Sequence, residues 1–248
     1  MNEYSSKYRI EERYEINLLV VYLVALSTMS SHHHPQTHIT VLISGNATNL
    51  QALINAQEQK NLSSGKIVRV ISNRKDAYGL KRAENAQIPS AYHNLKKFKE
   101  KYPDDTPRAR REYDIELAEL ILEDEPHLVV CAGWMHILSP PFLERLWEKG
   151  VDIINLHPAL PGQFNGAKAI ERAHKAFMDG EITETGVMIH YVIHEVDMGE
   201  PIVVKKIPLN HPADDDIDAL EERIHGIEHE AIVEGTVLAI RNFWDKRR

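Results

Sequence analysis

The chain has 248 residues, 43% of them hydrophobic and 27% charged, enough for one large α/β domain or two small ones around a real core. A net charge of −8 excludes a global basic field of the kind that holds nucleic acid, so an anionic ligand has to be met locally, by backbone N–H groups or a few placed side chains. A single cysteine, Cys131, excludes a disulfide framework and fits a reducing, cytoplasmic compartment.

The first segment, "MNEYSSKYRIEERYE", is acid-rich and lacks the basic region of a signal or transit peptide. The apolar run that follows, "INLLVVYLVAL" (16–26), is short for a bilayer span, and no membrane partner is expected. Met29 opens "MSSHHHPQTHITVLISG" and reads as a natural start. Residues 1–37 are therefore read as an extension outside the fold, either a gene-model artefact or an added surface helix, and 38–248 as the folded domain.

From there short apolar runs alternate with amphipathic segments. "HITVLISG" (38–45) reads as a buried strand and "NLQALINAQEQ" (49–59) as a helix with Asn49 as N-cap. "KIVRVISN" (66–73) is a second strand, "DAYGLKRAENAQ" (76–87) a short helix and "PSAYH" (89–93) a weak strand. The charged region 96–112 reads mostly as a solvated loop. A long helix spans 107–126, with Tyr113, Leu117, Leu120 and Ile121 on one face. "LVVCAG" (128–133) is a continuous apolar strand, "SPPFLERLWEKG" (139–150) a helix with Ser, Pro and Gly in their preferred terminal places, and "VDIIN" (151–155) another strand. A helix over 165–180 follows, then two strands, "GVMIHYVI" (186–193) and "PIVVKKIPL" (201–209), close enough to pair antiparallel. The chain closes on a long helix, 214–244, with an acidic start.

Repeated β–α alternation predicts a Rossmann-like three-layer α/β sandwich, its sheet mostly parallel with an antiparallel edge. In such sheets ligands sit beyond the carboxyl ends of strands, which directs attention to the segments that follow them. "SGNATN" (44–49) is either a plain strand–helix turn or an anion cradle of exposed N–H groups. It matches neither GxGxxG nor a Walker A loop, so dinucleotides and nucleoside triphosphates are poor ligands for it. In "INLHP" (154–158), Asn155 and His157 share one strand face and Pro158 ends the ladder. An amide donor for a developing oxyanion thus stands beside an imidazole able to move a proton near neutral pH. In "HEVDMGEP" (194–201), Asp197 is either a turn former or the carboxylate that charges and orients that imidazole. His190 and His194 lack a third ligand, so no metal is expected. No Ser or Cys stands in a nucleophile elbow.

Together "VLISGNATNLQALI", "VISNRKDAYGLKRA", "CAGWMHILSP", "INLHPALPG", "GVMIHYVIHEVDMGEPIVVKKIPL" and "IEHEAI" closely resemble the phosphoribosylglycinamide formyltransferase family, and "NLHPALPGQFNG" with "VDMGEPIVVKK" resembles its monofunctional fungal form. The resemblance covers about 38–244. It implies a formyltransferase fold and formyl transfer from 10-formyltetrahydrofolate, as co-substrate, to the amine of phosphoribosylglycinamide, by direct attack through a tetrahedral intermediate and without a metal. It implies a catalytic set of Asn155, His157 and Asp197, with Asn155 on the formyl oxygen, His157 as general acid and Asp197 holding it charged. Ala47, Thr48 and Asn49 would bind the substrate's phosphate, with His225 and Glu228 at its ribose end. Arg110, Met135, His136, Ile137, Leu138, Asn155, Ile193, His194, Glu195, Val196 and Asp197 would line the folate pocket. The partners implied are small molecules, with the chain a monomer or weak homodimer. Three features depart from the family: Ala47 stands where Gly is usual, a substitution that costs about 1 kcal/mol if φ is positive there. His136 stands where Arg is common, and the segment after Pro158 is longer than in bacterial relatives. Rival readings are a formyltetrahydrofolate hydrolase, a methionyl-tRNA or amino-sugar formyltransferase, or a non-catalytic Rossmann-like binding protein.

Overall fold

The computed structural model describes residues 34–248; the apolar run at 16–26 and Met29 lie outside the described residues. Seven strands form one sheet in the order β3-β2-β1-β4-β5-β6-β7. They are β1 (Thr37–Ile43), β2 (Gly65–Ser72), β3 (Ser90–Tyr92), β4 (Leu128–Cys131), β5 (Asp152–His157), β6 (Glu184–Tyr191) and β7 (Pro201–Pro208). The first five run parallel, and β6 and β7 add antiparallel, so the mostly parallel sheet with an antiparallel edge is as expected from the sequence. Seven helices complete the described part: α1 (Thr48–Glu58), α2 (Tyr78–Asn85), α3 (Leu95–Lys101), α4 (Thr106–Leu122), α5 (Pro140–Glu148), α6 (Ala169–Met178) and α7 (Ile217–Asp245). Among the described residues no helix is long and apolar enough to cross a membrane.

The continuous apolar strands split residue by residue between two cores, as strand pleating demands. Ile39, Val41, Ile43, Leu128, Val130, Ile154 and Leu156 face the cluster that includes Leu50, Leu53 and Ile54 of α1 and Ile232, Ala239 and Ile240 of α7. Leu42, Ile71, Val129, Cys131 and Ile153 face Tyr113, Leu117 and Ile121 of α4 and Phe142 and Leu146 of α5. Cys131 sits so deep that burial pushes its thiol up to about 12.

Three local expectations are corrected. The region 96–112 is helical at both ends rather than a solvated loop. Its charges lie on the outer face of α3, while Phe98, the one buried side chain of that helix, packs edge-on against His93 and Tyr113. α4 begins at Thr106 because the Asp105 carboxylate accepts the Arg108 N–H at 2.9 Å. The N-cap of α1 is Ala47 rather than Asn49, and α6 starts at Ala169 rather than Asn165, behind Lys168; both caps are left-handed, at φ 56° and 58°.

Candidate active site

β5 carries Asn155 and His157 on the same face as Ile153, but past the helices that cover Ile153. The loop to Asp197 reaches them by a less direct route than the sequence suggests. β6 is antiparallel, with His157 opposite Met188 and Ile154 opposite Tyr191, so it exits toward the other rim of the sheet. Residues 192–200 then fold back over the site face. The return is tight at Gly199, where a Cβ would lie 1.6 Å from the carbonyl oxygen of Tyr191. No other residue fits that approach.

The fold-back brings the three groups together. Asp197 Oδ2 lies 3.4 Å from His157 Nδ1, and Asp197 Oδ1 accepts from Asn155 Nδ2 at 3.3 Å. The His157 side chain is 3% exposed and that of Asp197 8%. His157 Nε2 stands 3.0 Å from the carbonyl of Gln163. A carbonyl only accepts, so Nε2 carries the proton in the neutral ring, and a second proton goes to Nδ1, beside the carboxylate. Burial alone would raise the carboxyl of Asp197. It is outweighed by hydrogen bonding from His190, by the Gly166 N–H at 2.7 Å and by the charges of His157 and His190, so Asp197 stays below the ordinary carboxylate range.

His190, set aside in the sequence as half of an improbable metal pair, belongs to this cluster. It lies opposite Asn155 across the β5–β6 ladder and is 2% exposed. Its Nδ1 donates to the carbonyl of Tyr191 at 2.8 Å, and its Nε2 lies 3.5 Å from Asp197 Oδ1 and 3.3 Å from Asn155 Nδ2. The amide of Asn155 is thus aimed by an imidazole on one side and a carboxylate on the other. The signal was present in the sequence as one polar residue inside "GVMIHYVI".

The segment after Pro158 closes the site from above. Ala159 and Leu160 are buried, and Leu160 packs against Gly186 of β6. Beyond them the left-handed conformation recurs at every second residue: Gly162 (φ 76°), Phe164 (49°), Gly166 (84°) and Lys168 (58°). Alternation of this kind turns successive N–H groups inward around an anion, and here the Gly166 N–H meets Asp197. The two non-glycine members each cost about 1–2 kcal/mol, which only surrounding contacts can sustain.

The other sequence-selected residues form two further groups. At the start of α1, Ala47 is left-handed and no side chain caps the helix, so its first N–H groups are available to an anion. Asn49 Nδ2 donates to Glu228 Oε2 of α7 at 3.0 Å, and His225 lies close enough to act on the charge of Glu228. Burial holds the carboxyl of Glu228 above its usual range, against the Asn49 bond and the charge of His225. Thr48, the first residue of α1, stands between Ala47 and Asn49. In the second group, Arg110 of α4 reaches the carbonyl of Ile137 at 3.4 Å, and the Met135 N–H donates to Ser44 Oγ at 2.7 Å. Met135 and Ile137 after β4, and Ile193 and Val196 in the fold-back, expose apolar side chains; Leu138 is half-buried. Glu195 is exposed, and His194 lies edge-on to Trp147 of α5. His136 is turned inward: its Nε2 is 2.7 Å from Asp114, a fully buried carboxylate that also accepts the Ser139 N–H. Its imidazole therefore serves the loop's attachment to α4 and is not among the exposed side chains. Among the described residues no group of three or more His, Cys, Asp or Glu is arranged to hold a metal ion.

Comparison with known proteins gives a consistent result. A family model described as formyl transferase matches residues 37–236. The chain is 51% identical over 197 residues to phosphoribosylglycinamide formyltransferase of Schizosaccharomyces pombe, covering 79% of this chain and 93% of that one. It is 46% identical over 205 residues to the enzyme of the same name from Saccharomyces cerevisiae, covering 80% and 94%. The fold is similar to the crystal structure of glycinamide ribonucleotide transformylase 1 from Symbiobacterium toebii, with a TM-score of 0.71 at 30% identity over 86% of this chain and 90% of that one.

Proposed function

The chain belongs to the phosphoribosylglycinamide formyltransferase family, and on that premise we propose how its own residues carry the transfer of a formyl group to the amine of phosphoribosylglycinamide in purine biosynthesis. The formyl donor is 10-formyltetrahydrofolate, the one-carbon carrier of this family. The observation that carries the reading is the approach of Asp197, from a distant part of the chain, to both Asn155 and His157 of β5, at 3.3 and 3.4 Å.

The uncapped start of α1 at Ala47, Thr48 and Asn49 holds the phosphate, with Glu228 and His225 at the ribose end. The apolar side chains at 135–138 and 193–196 suit a flat pterin, and Arg110 supplies a cation for the carboxylate end of the donor. The glycinamide nitrogen attacks the formyl carbon, a new C–N bond forms, and the carbonyl electron pair moves onto oxygen. Asn155 has a second Nδ2 proton besides the one it gives Asp197, and that proton and the Nδ1 proton of His157 are assigned to that oxygen, with Asp197 favouring the proton on Nδ1. Collapse re-forms the C=O bond and breaks the bond from carbon to N10 of the folate. The leaving nitrogen takes a proton, and the attacking amine loses one, so the imidazole ends as it began. No covalent enzyme intermediate is needed.

The test is direct. Purified protein, 10-formyltetrahydrofolate and phosphoribosylglycinamide are mixed, and folate release is followed by absorbance. Amine-dependent release with appearance of the N-formyl product is the expected result. Release of formate at the same rate without the amine identifies a hydrolase and overturns the proposal.

A further inference from the structure

Arg172, in the first turn of α6, is spent in an unusual way. A cation there opposes the helix dipole, yet its guanidinium, at the exposed surface, reaches back over the preceding loop. It donates to the carbonyls of Phe164, of Asn165 at 2.7 Å and of Lys168 at 3.3 Å, and lies 5.9 Å from the centre of the Phe164 ring. Those carbonyls belong to the alternating left-handed stretch, and its two strained non-glycine members, Phe164 and Lys168, are gripped together with Asn165. The stretch in turn offers its Gln163 carbonyl to His157 Nε2 and its Gly166 N–H to Asp197 Oδ2.

We infer that Arg172 is a positioning residue for the transfer reaction: it clips the 162–168 loop so that the loop's backbone fixes the tautomer of His157 and the orientation of Asp197. The inference rests on the proposed roles of those two residues. The planar fork of arginine is what spans three carbonyls; the single ammonium of lysine cannot do so. Without the clip the loop relaxes out of its left-handed conformations, Nε2 loses its acceptor, and the proton of the neutral ring is no longer confined to Nε2, the nitrogen turned away from Asp197.

The test uses the full chain carrying Arg172→Ala or Arg172→Lys. For Arg172→Ala, kcat falls on the order of tenfold or more, while KM for each substrate stays within about threefold, because misplacement of the acid is felt in turnover. Arg172→Lys recovers only part of the loss, and added methylguanidinium raises kcat of Arg172→Ala but not of the parent. A second readout needs no activity: with ¹⁵N-glycine, the Gly166 amide, bonded to a carboxylate in the parent, shifts upfield in both variants. A cooperatively folded Arg172→Ala with kcat within about twofold of the parent, or an unmoved Gly166 signal, overturns the inference. If Arg172→Ala does not fold, Arg172→Lys decides by the same two readouts. If the parent itself transfers no formyl group, the proposed function fails, and the amide signal still decides the clip.

Discussion

Replacing Asp197 by Asn removes one charge and almost nothing else. Volume and shape are kept, and an amide oxygen can still accept the Gly166 N–H. What is lost is a full negative charge 3.4 Å from His157 Nδ1, between side chains only 8% and 3% exposed. At that separation and an effective dielectric of about 20, the attraction for a proton on Nδ1 is about 5 kcal/mol. Only the part that differs between ground and transition state enters the rate, so a loss of about 1.4–4 kcal/mol is expected, or roughly ten- to a thousandfold in kcat. KM for both substrates should change by no more than about threefold, since the substitution leaves their proposed contacts in place. The assay is initial-rate formyl transfer followed by absorbance, with cooperative thermal unfolding as the check that the fold survives. A kcat within about threefold of the parent would refute the electrostatic reasoning, because no plausible partition of 5 kcal/mol is so small. The pH behaviour supplies an independent sign. Asp197 is held below its ordinary range, so its contribution to stability is complete above the unfolded carboxylate value and is lost as pH falls through the depressed one. The Asn variant should lack that component of acid destabilisation.

Other sites give sharper tests of single features. Ala47→Gly relieves a left-handed alanine and should stabilise the protein by about 1 kcal/mol, read as a rise of roughly 2–4 °C in Tm, with no loss of affinity for the phosphate substrate. Glu228→Gln removes a carboxyl that burial holds above its usual range. The parent's stability at this site is complete at low pH and declines as pH rises through the elevated value, so the variant should gain on the parent toward neutral pH while its KM for the phosphoribosyl substrate rises. Gly199→Ala drives a methyl into the Tyr191 carbonyl at 1.6 Å, so the fold-back must shift and activity should fall at least a hundredfold, measured as kcat/KM.

The sequence exposed what periodicity and turn chemistry encode. Continuous apolar runs marked the parallel strands, and the polar pair at 155 and 157 before Pro158 marked the rim of the sheet. α3 stayed hidden because its charges outnumber the one buried side chain, Phe98, whose partners His93 and Tyr113 come from other elements. The starts of α1 and α6 were misplaced because their caps are Ala47 and Lys168, residues that carry no capping side chain and adopt φ values their types seldom take. His190 entered the cluster only through the β5–β6 register, and Asp114, one polar residue on an otherwise apolar helix face, found His136 only through tertiary packing. The route of 192–200 is not legible in the sequence for one reason: a strand's carboxyl end lies at the opposite rim once its direction reverses.

The protein's one sulfhydryl also doubles as a built-in reporter. Cys131 sits in the middle of the sheet between β1 and β5, 3% exposed, with its ionisation pushed to about 12. Neither peroxide nor an alkylating dye can meet a thiolate there while the strands stay paired. Labelling of the native protein therefore clocks the rare excursions in which the central strands part, and needs no engineered probe.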